Sequence, residues 1–305
     1  MKSSPLLVLL AVGGVWGTSF LFIKVIVEEI APLELVAGRL LIGAASVALV
    51  VVLMRRPVRL TAPLLAKLSV LALFTNILPF ALIAWAEVHI DSGVTSVLNS
   101  TMPLFTALFA AAILAEEHFT TVRVLGLVTG FVGVAVLTGG DITRITDDDV
   151  LGELAVVGAA TCYGAGAVYL RTLLRSEDPV NLSVLQLGLS ALMAIPIALL
   201  FEGLPDGSLS VKGWLALLAL GIGGTGLAYI AYVWLVDNIG SVRSSLVTYI
   251  IPVIGLLLGW AVLDEELGLS TILGFLLILG GVAAVLRGEA PASERVAPVP
   301  AGAAD

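Results

Sequence analysis

Residues 3–23 read SSPLLVLLAVGGVWGTSFLFI, twenty-one positions without a charge. A helix of about 20 mostly apolar residues crosses the hydrocarbon core of a bilayer. The run exceeds the apolar segment of a cleaved signal peptide, about 7 to 15 residues, and no A-x-A site follows it. It is therefore expected to be retained as a first membrane span. Nine more uncharged stretches follow: Leu40–Met54, Leu68–Ala86, Ser92–Ala115, Val124–Gly140, Leu154–Leu170, Pro179–Phe201, Gly213–Val236, Ser244–Leu263 and Leu267–Leu286. The second becomes long enough when Arg39 is taken inside it, giving a helix from Leu35 to Met54. A membrane β-barrel would instead show alternating segments of roughly ten residues. The reading is an all-helical integral membrane protein of ten spans.

Composition agrees. The 305 residues are 59% hydrophobic and only 12% charged, with mean hydropathy +1.11, whereas charged residues reach about a quarter of a soluble domain. One cysteine, Cys162, cannot form an internal disulfide, and His89 and His118 fall in different loops without a Cys/His cluster. No cofactor or metal is expected. The net charge of −8 argues against nucleic acid as a partner, because phosphate binding needs a basic surface.

Lys and Arg set an expected orientation. With the N-terminus on side one, that side receives Lys2, Arg55, Arg56, Arg59, Lys67, Arg123, Arg171, Arg175, Arg243, Arg287 and Arg295. Side two receives only Lys24, Arg144 and Lys212. Cytoplasmic loops are the basic ones, so both termini are expected in the cytoplasm.

The second half repeats the first. A shift of 147 residues places Trp16-Gly17 on Tyr163-Gly164, Lys24 on Arg171, and Ala81, Ile83 and Ala84 on Ala228, Ile230 and Ala231. A shift of 149 brings Thr95-Ser96 to Ser244-Ser245 and Pro103 to Pro252. A shift of 148 brings Leu125-Gly126 to Leu273-Gly274 and Gly133-Val134-Ala135 to Gly281-Val282-Ala283. Five spans per half is an odd number, so the halves lie upside down relative to each other, a ground plan of small-molecule carriers. The expected organisation is a first repeat over 1–140, an acidic linker over 141–149 on side two, a second repeat over 150–288, and a Pro/Ala-rich cytoplasmic tail over 289–305 too polar to order itself. Asp147, Asp148 and Asp149 lack the spacing of an EF-hand and read as a solvated linker.

At these residues the chain resembles the drug/metabolite transporter superfamily, specifically the EamA-type proteins of ten helices in two repeats. The resemblance rests on Trp16-Gly17 with Lys24, on Arg39, and on Thr95 through Pro103 to Glu116-Glu117; the second repeat answers with Tyr163-Gly164, Arg171, Ser244-Ser245 through Pro252, and Asp264-Glu265-Glu266. It covers residues 5 to 288. It implies export of amino acids, related metabolites or drugs across a bacterial inner membrane, driven by gradients. The Gly-Glu pair common after helices four and nine is here Glu116-Glu117 and Glu265-Glu266, leaving the local alignment open by one residue.

None of Lys2, Lys24, Lys67 or Lys212 follows a glycine, so there is no P-loop and no ATP-driven step. Trp16 and Tyr163 sit mid-span beside small residues, where an aromatic ring either fills a packing gap or lines a cavity; their matched placement favours the cavity. Asn76 and Pro79 in helix three, and Gly221, Gly223, Gly224 and Gly226 before Tyr229 and Tyr232 in helix eight, weaken the helical ladder at corresponding depths. Such interruptions mark a carrier's binding site or a simple kink.

Helices four and nine hold Thr95, Ser96, Asn99, Ser100 and Thr101, and Ser244, Ser245, Thr248 and Tyr249. Most hydroxyls can bond back to their own helix, so Asn99 and Thr248 are the candidate contacts. The substrate-binding candidates are thus Trp16, Asn76, Asn99, Tyr163, Tyr229, Tyr232, Thr248 and Tyr249. Arg39, inside a span, either lines the cavity or gate or snorkels to the interface. Lys24 and Arg171 read as anchors or gate partners, and coupling, if any, runs through an edge acid such as Glu87 or Glu34. The glycine stretches 13–17 and 126–130 serve internal packing or a homodimer.

The chain therefore reads as a non-enzymatic secondary transporter, exporting small amino-acid-like or other amphipathic metabolites or drugs by alternating access, with a small-molecule substrate and the lipid bilayer as partners. The alternative is a polytopic enzyme acting on lipid-linked substrates, for which His89 with Glu87 and Asp91 is the available grouping.

Overall fold

The computed structural model describes residues 4–113, 120–138, 147–174, 178–205, 209–239, 244 and 247–287, and among these the regular elements are all helices. In chain order they are α1 (Pro5–Val27), α2 (Pro32–Leu53), α3 (Ala62–His89), α4 (Ser92–Ile113), α5 (Thr121–Leu137), α6 (Asp148–Leu173), α7 (Pro179–Phe201), α8 (Val211–Leu218 continuing through Ala219–Leu227 to Ala228–Ile239), α9 (Val247–Val262) and α10 (Leu269–Arg287). Eight are long and apolar enough to cross a membrane; α5 and α9 are shorter and equally apolar. The ten expected spans are present, Arg39 lying well inside α2. Asp148 and Asp149, read from sequence as linker, form the first turn of α6, where carboxylates meet the positive end of the helix dipole. Glu116, Glu117, His118, Arg144, Arg175, Arg243, Ser245 and the C-terminal tail lie outside the described residues.

Helix starts follow from local chemistry. Pro5, Pro32, Pro63 and Pro179 stand in first turns, where a missing N–H costs nothing. Thr61, Thr120, Asp178 and Ser210 each accept the backbone N–H three residues on.

Proline also shapes the interiors. Pro103 has no N–H to offer the Asn99 carbonyl, and α4 turns sharply at Ser100 and Thr101 before resuming at Met102. Pro79 likewise withholds a donor from Thr75, and the preceding stretch Leu73–Ile77 opens into wide π turns, Leu78 N–H reaching back to the Leu73 carbonyl. In α8 the glycine-rich Ala219–Leu227 does the same, Ala228 N–H bonding Gly223 O. The sequence-marked interruptions are thus widenings, not breaks. The 147-residue shift carries 73–77 onto 220–224, inside the second wide segment.

Packing obeys the repeat. Helices α1 and α9 pair as α6 and α4 do; α2 meets α8 as α7 meets α3; α3 lies on α6 as α8 lies on α1; and α2–α7, α4–α9 and α5–α10 pair across the middle. At α5–α10 the backbones touch: a Cβ on Gly281 would fall 2.5 Å from Gly130 N and 2.6 Å from Gly126 O, and one on Gly274 would fall 2.9 Å from Gly133 O. Gly13 and Gly17 receive Ile250 and Ile254 of α9 in the same manner. Both glycine stretches are thus used inside the chain.

The largest buried cluster joins α1, α2, α3, α7 and α8 around Ile26, Leu35, Leu40, Ala84 and Leu220. Leu49, Val52, Leu53, Leu192, Leu200, Leu215 and Leu276 face outward, roughly half to four-fifths exposed, as a protein whose solvent is lipid requires.

Candidate functional site

The polar chemistry inside the bundle gathers at the two wide segments. Arg39 of α2 is 6% exposed; its Nε donates to Thr225 Oγ1 at 2.8 Å, and its guanidinium carbon lies 3.7 Å from the centroid of the Phe80 ring. Thr225 in turn donates to Leu220 O, five residues back, at 3.1 Å. The ring supplies a cation–π contact that a desolvated guanidinium needs. Among the described residues the two terminal amino groups of Arg39 have no hydrogen-bond partner.

A second set lies between α3, α7 and α8. Gln186 Nε2 donates to Thr75 Oγ1 at 2.6 Å, Asn76 Nδ2 donates to Ser190 Oγ at 2.8 Å, and Tyr229 donates to Gln186 Oε1 at 3.3 Å. Thr75 and Ser190 pass their own hydrogens to Leu71 O and Gln186 O. Each member satisfies another, as buried polar groups must.

Trp16 joins the sets. Its Nε1 donates to Gly224 O at 2.9 Å, a carbonyl of the second wide segment, and its ring lies 5.2 Å from that of Tyr232. Tyr163 is half-buried in the main cluster, within electrostatic reach of Arg39. Trp16, Arg39, Asn76, Tyr163, Tyr229 and Tyr232 therefore share one region. Gln186, Ser190, Thr225 and Phe80 belong to it and were not singled out from sequence. The available signal was the 147-residue shift, which puts Gln186 on Arg39.

The remaining candidates lie elsewhere. Thr95, Ser96, Ser100 and Thr101 all donate to carbonyls of their own helix. Asn99 is half-buried, and its carboxamide oxygen is buried without a partner among the described residues. Thr248 is half-buried on α9, and Tyr249 belongs to the second cluster with Val97, Leu98 and Val282, within electrostatic reach of Arg287. Arg171 is exposed near the end of α6.

One end of the bundle, where α1, α3, α7 and α9 finish, is laced by charge. Lys24 Nζ donates to Glu87 O at 2.7 Å and Ile90 O at 3.0 Å, capping α3. Glu265 accepts from Ser92 N–H at 2.7 Å and Gly93 N–H at 2.9 Å; Glu202 accepts from Leu33 and Glu34 N–H; Glu29 accepts from the N–H and hydroxyl of Ser210. Carboxylates at helix N-termini suit the dipole. Asp264, with φ 56°, makes the left-handed turn that aims Glu265 at α4, which identifies Glu265 as the capping member of its pair. Lys24, Glu28, Asp91, Leu263, Asp264, Glu265 and Glu266 enclose a cleft of about 450 Å³. Partial burial, then the Glu265 charge, raises the Asp91 carboxyl above its usual range, whereas the Ser210 hydrogen bonds lower that of Glu29.

At the same end, the His89 ring packs at a tilt of 55° against Trp85 with centroids 4.5 Å apart, Glu87 is fully buried, and Asp91 faces the cleft. The three side chains occupy different surroundings and do not assemble an acid–base site. At the opposite end Asn181 of α7 pairs with both backbone groups of Arg59.

Comparison with known proteins follows the repeat. The pattern described as EamA-like transporter family matches residues 3–139 and again 150–287. The chain is 27% identical over 268 residues to the Bacillus subtilis "Uncharacterized transporter YoaV", spanning 88% of this chain and 91% of the relative. It is 30% identical over 279 residues to an "Uncharacterized transporter" of Archaeoglobus fulgidus, spanning 89% and 95%. It is 26% identical over 296 residues to the Escherichia coli "Uncharacterized inner membrane transporter YedA", spanning 93% and 92%. A solved structure described as "Crystal structure of protein" superposes with TM-score 0.65 at 23% identity, covering 93% of this chain and 98% of that one, and supports the fold.

Proposed function

Because this chain belongs to the EamA-like transporter family, a membrane transporter family, we propose that it is a non-enzymatic, alternating-access exporter of small amino-acid-like or other amphipathic metabolites. The observation that carries the reading is the guanidinium of Arg39: buried where the repeats meet, fixed through Nε by Thr225 and from below by Phe80, with its terminal donors without a hydrogen-bond partner among the described residues. Such a planar fork suits a substrate carboxylate. Trp16, Tyr163, Tyr229 and Tyr232 around it suit an apolar side chain. Asn99, Thr248 and Tyr249 are proposed as contacts from α4 and α9, and Lys24, Glu87 and Arg171 as gate residues.

Rocking of residues 1–140 against residues 150–288 would make and break the contacts of Trp16 and Arg39 with α8. The basic residues of the α2–α3 connection and of the α6 and α10 ends support cytoplasmic termini in a bacterial inner membrane. The test is efflux: cells expressing the protein are challenged with a panel of amino acids and analogues. Raised tolerance and faster release, lost in Arg39→Gln, are expected; no change for any compound, with the protein in the membrane, overturns the reading.

A further inference from the structure

We propose that Glu87 is a proton-binding site that controls the gate between α1 and α3, through Lys24. The proposal rests on the carrier reading and adds a coupling residue to it. Glu87 is 0% exposed, and neither carboxyl oxygen has a hydrogen-bond partner among the described residues. A bare carboxylate without donors is among the costliest groups to bury. The site is therefore held by a proton or by a cation brought against it.

The nearest mobile cation is engaged otherwise. Lys24 spends its ammonium on the backbone carbonyls of Glu87 and Ile90 and forms no ion pair with the carboxyl, although its charge acts on it. The other groups facing Glu87 leave Lys24 as the partner free to respond. Arg39 of α2 also acts on Glu87 but is anchored to Thr225 and Phe80. Glu265, beyond α9, opposes a negative charge there and is itself bound to the N-terminus of α4. Asp91, leading into α4, lies in the water-accessible cleft with Lys24. From α6, Glu153 follows Gly152, which touches Ala86 and Ile90.

The step balances simply. The O–H bond of the Glu87 carboxyl breaks, the proton passes to water at the cleft, and one negative charge remains. The Lys24 ammonium keeps its own protons and swings on its flexible stem from the two carbonyls to the carboxylate. The end of α3 loses its cap, and α1 is released from α3 at the Lys24 end. Reprotonation reverses each move, so proton occupancy and gate position are linked.

The experiment needs no cargo. The full chain carrying Cys162→Ala and Leu263→Cys, which puts a lone thiol at the cleft wall, is placed in liposomes and labelled with a membrane-impermeant maleimide. Rates are taken between about pH 5 and pH 9 and corrected for thiolate content with an exposed control at the same end but outside the cleft, Leu204→Cys. The corrected rate is expected to rise with pH, by up to about tenfold per unit across the titration of one group. Glu87→Gln should give a low, flat rate. Lys24→Met, which removes the moving cation, should give a high, flat rate and decides the matter if Glu87→Gln folds poorly. A flat wild-type profile, an unchanged profile in Glu87→Gln, or a pH-dependent one in Lys24→Met overturns the proposal. If efflux persists in those cases, the carrier reading stands without this gate; pH-controlled labelling in a protein that exports nothing would support the gate alone.

Discussion

Arg39 and Gln186 stand 147 residues apart, at the same place in their repeats. Each reaches into the other repeat and donates to a threonine of its wide segment, Arg39 to Thr225 at 2.8 Å and Gln186 to Thr75 at 2.6 Å. The first latch carries a formal charge and leaves donors over. The second is neutral, and its carboxamide is filled on both sides, by Thr75 and Tyr229. The threonine latch occurs twice and the charge once; under the carrier reading proposed above, the latch serves the fold and the charge serves the cargo.

The largest effect is expected from charging the neutral latch. Gln186→Arg places a cation where the partners among the described residues are the neutral Thr75, Ser190 and Tyr229, and a charge at membrane depth costs about 3 kcal/mol; thermal unfolding in detergent should show the loss. Next, Arg39→Gln makes both latches alike. Folding should survive, because an amide can still reach Thr225, while efflux falls at least about tenfold, some 1.4 kcal/mol in transport; full activity would mean that the charge serves structure only. Arg39→Lys should restore little, lacking the planar fork above Phe80. Third, Gln186→Ala leaves the Tyr229 hydroxyl unpaired and should cost about 1 kcal/mol of stability, with efflux affected less than in Arg39→Gln.

The smallest effects come from the charged end. The raised Asp91 carboxyl favours the fold in its neutral form, so that contribution is full at low pH and fades as pH rises from the ordinary carboxylate range through the folded value. The lowered Glu29 works oppositely: its contribution is present above the ordinary range and lost as pH falls. Asp91→Asn should flatten the alkaline side of a melting-temperature profile, and Glu29→Gln the acidic side.

The spans were legible because lipid demands unbroken apolar runs, and a charge as conspicuous as Arg39 stands out within one. Trp16, Asn76 and Tyr229 were legible as polar or aromatic groups at depth. Gln186 and Thr225 were not, because a single amide or hydroxyl inside a span reads as tolerated until its partner is known, and that partner is over 100 residues away. Clustered glycines announce a weak ladder without saying whether it breaks or widens. Lys24 illustrates the same limit, since its acceptors are backbone carbonyls, which every residue possesses.

The glycine contact of α5 with α10 carries a last consequence. With main chains already touching, there is no room for even a methyl group between these rods, and parting them would give up the most intimate backbone contact between the two repeats. Under the alternating-access reading proposed above, volume gained during transport would open on the far side of the molecule, with this line as its fulcrum.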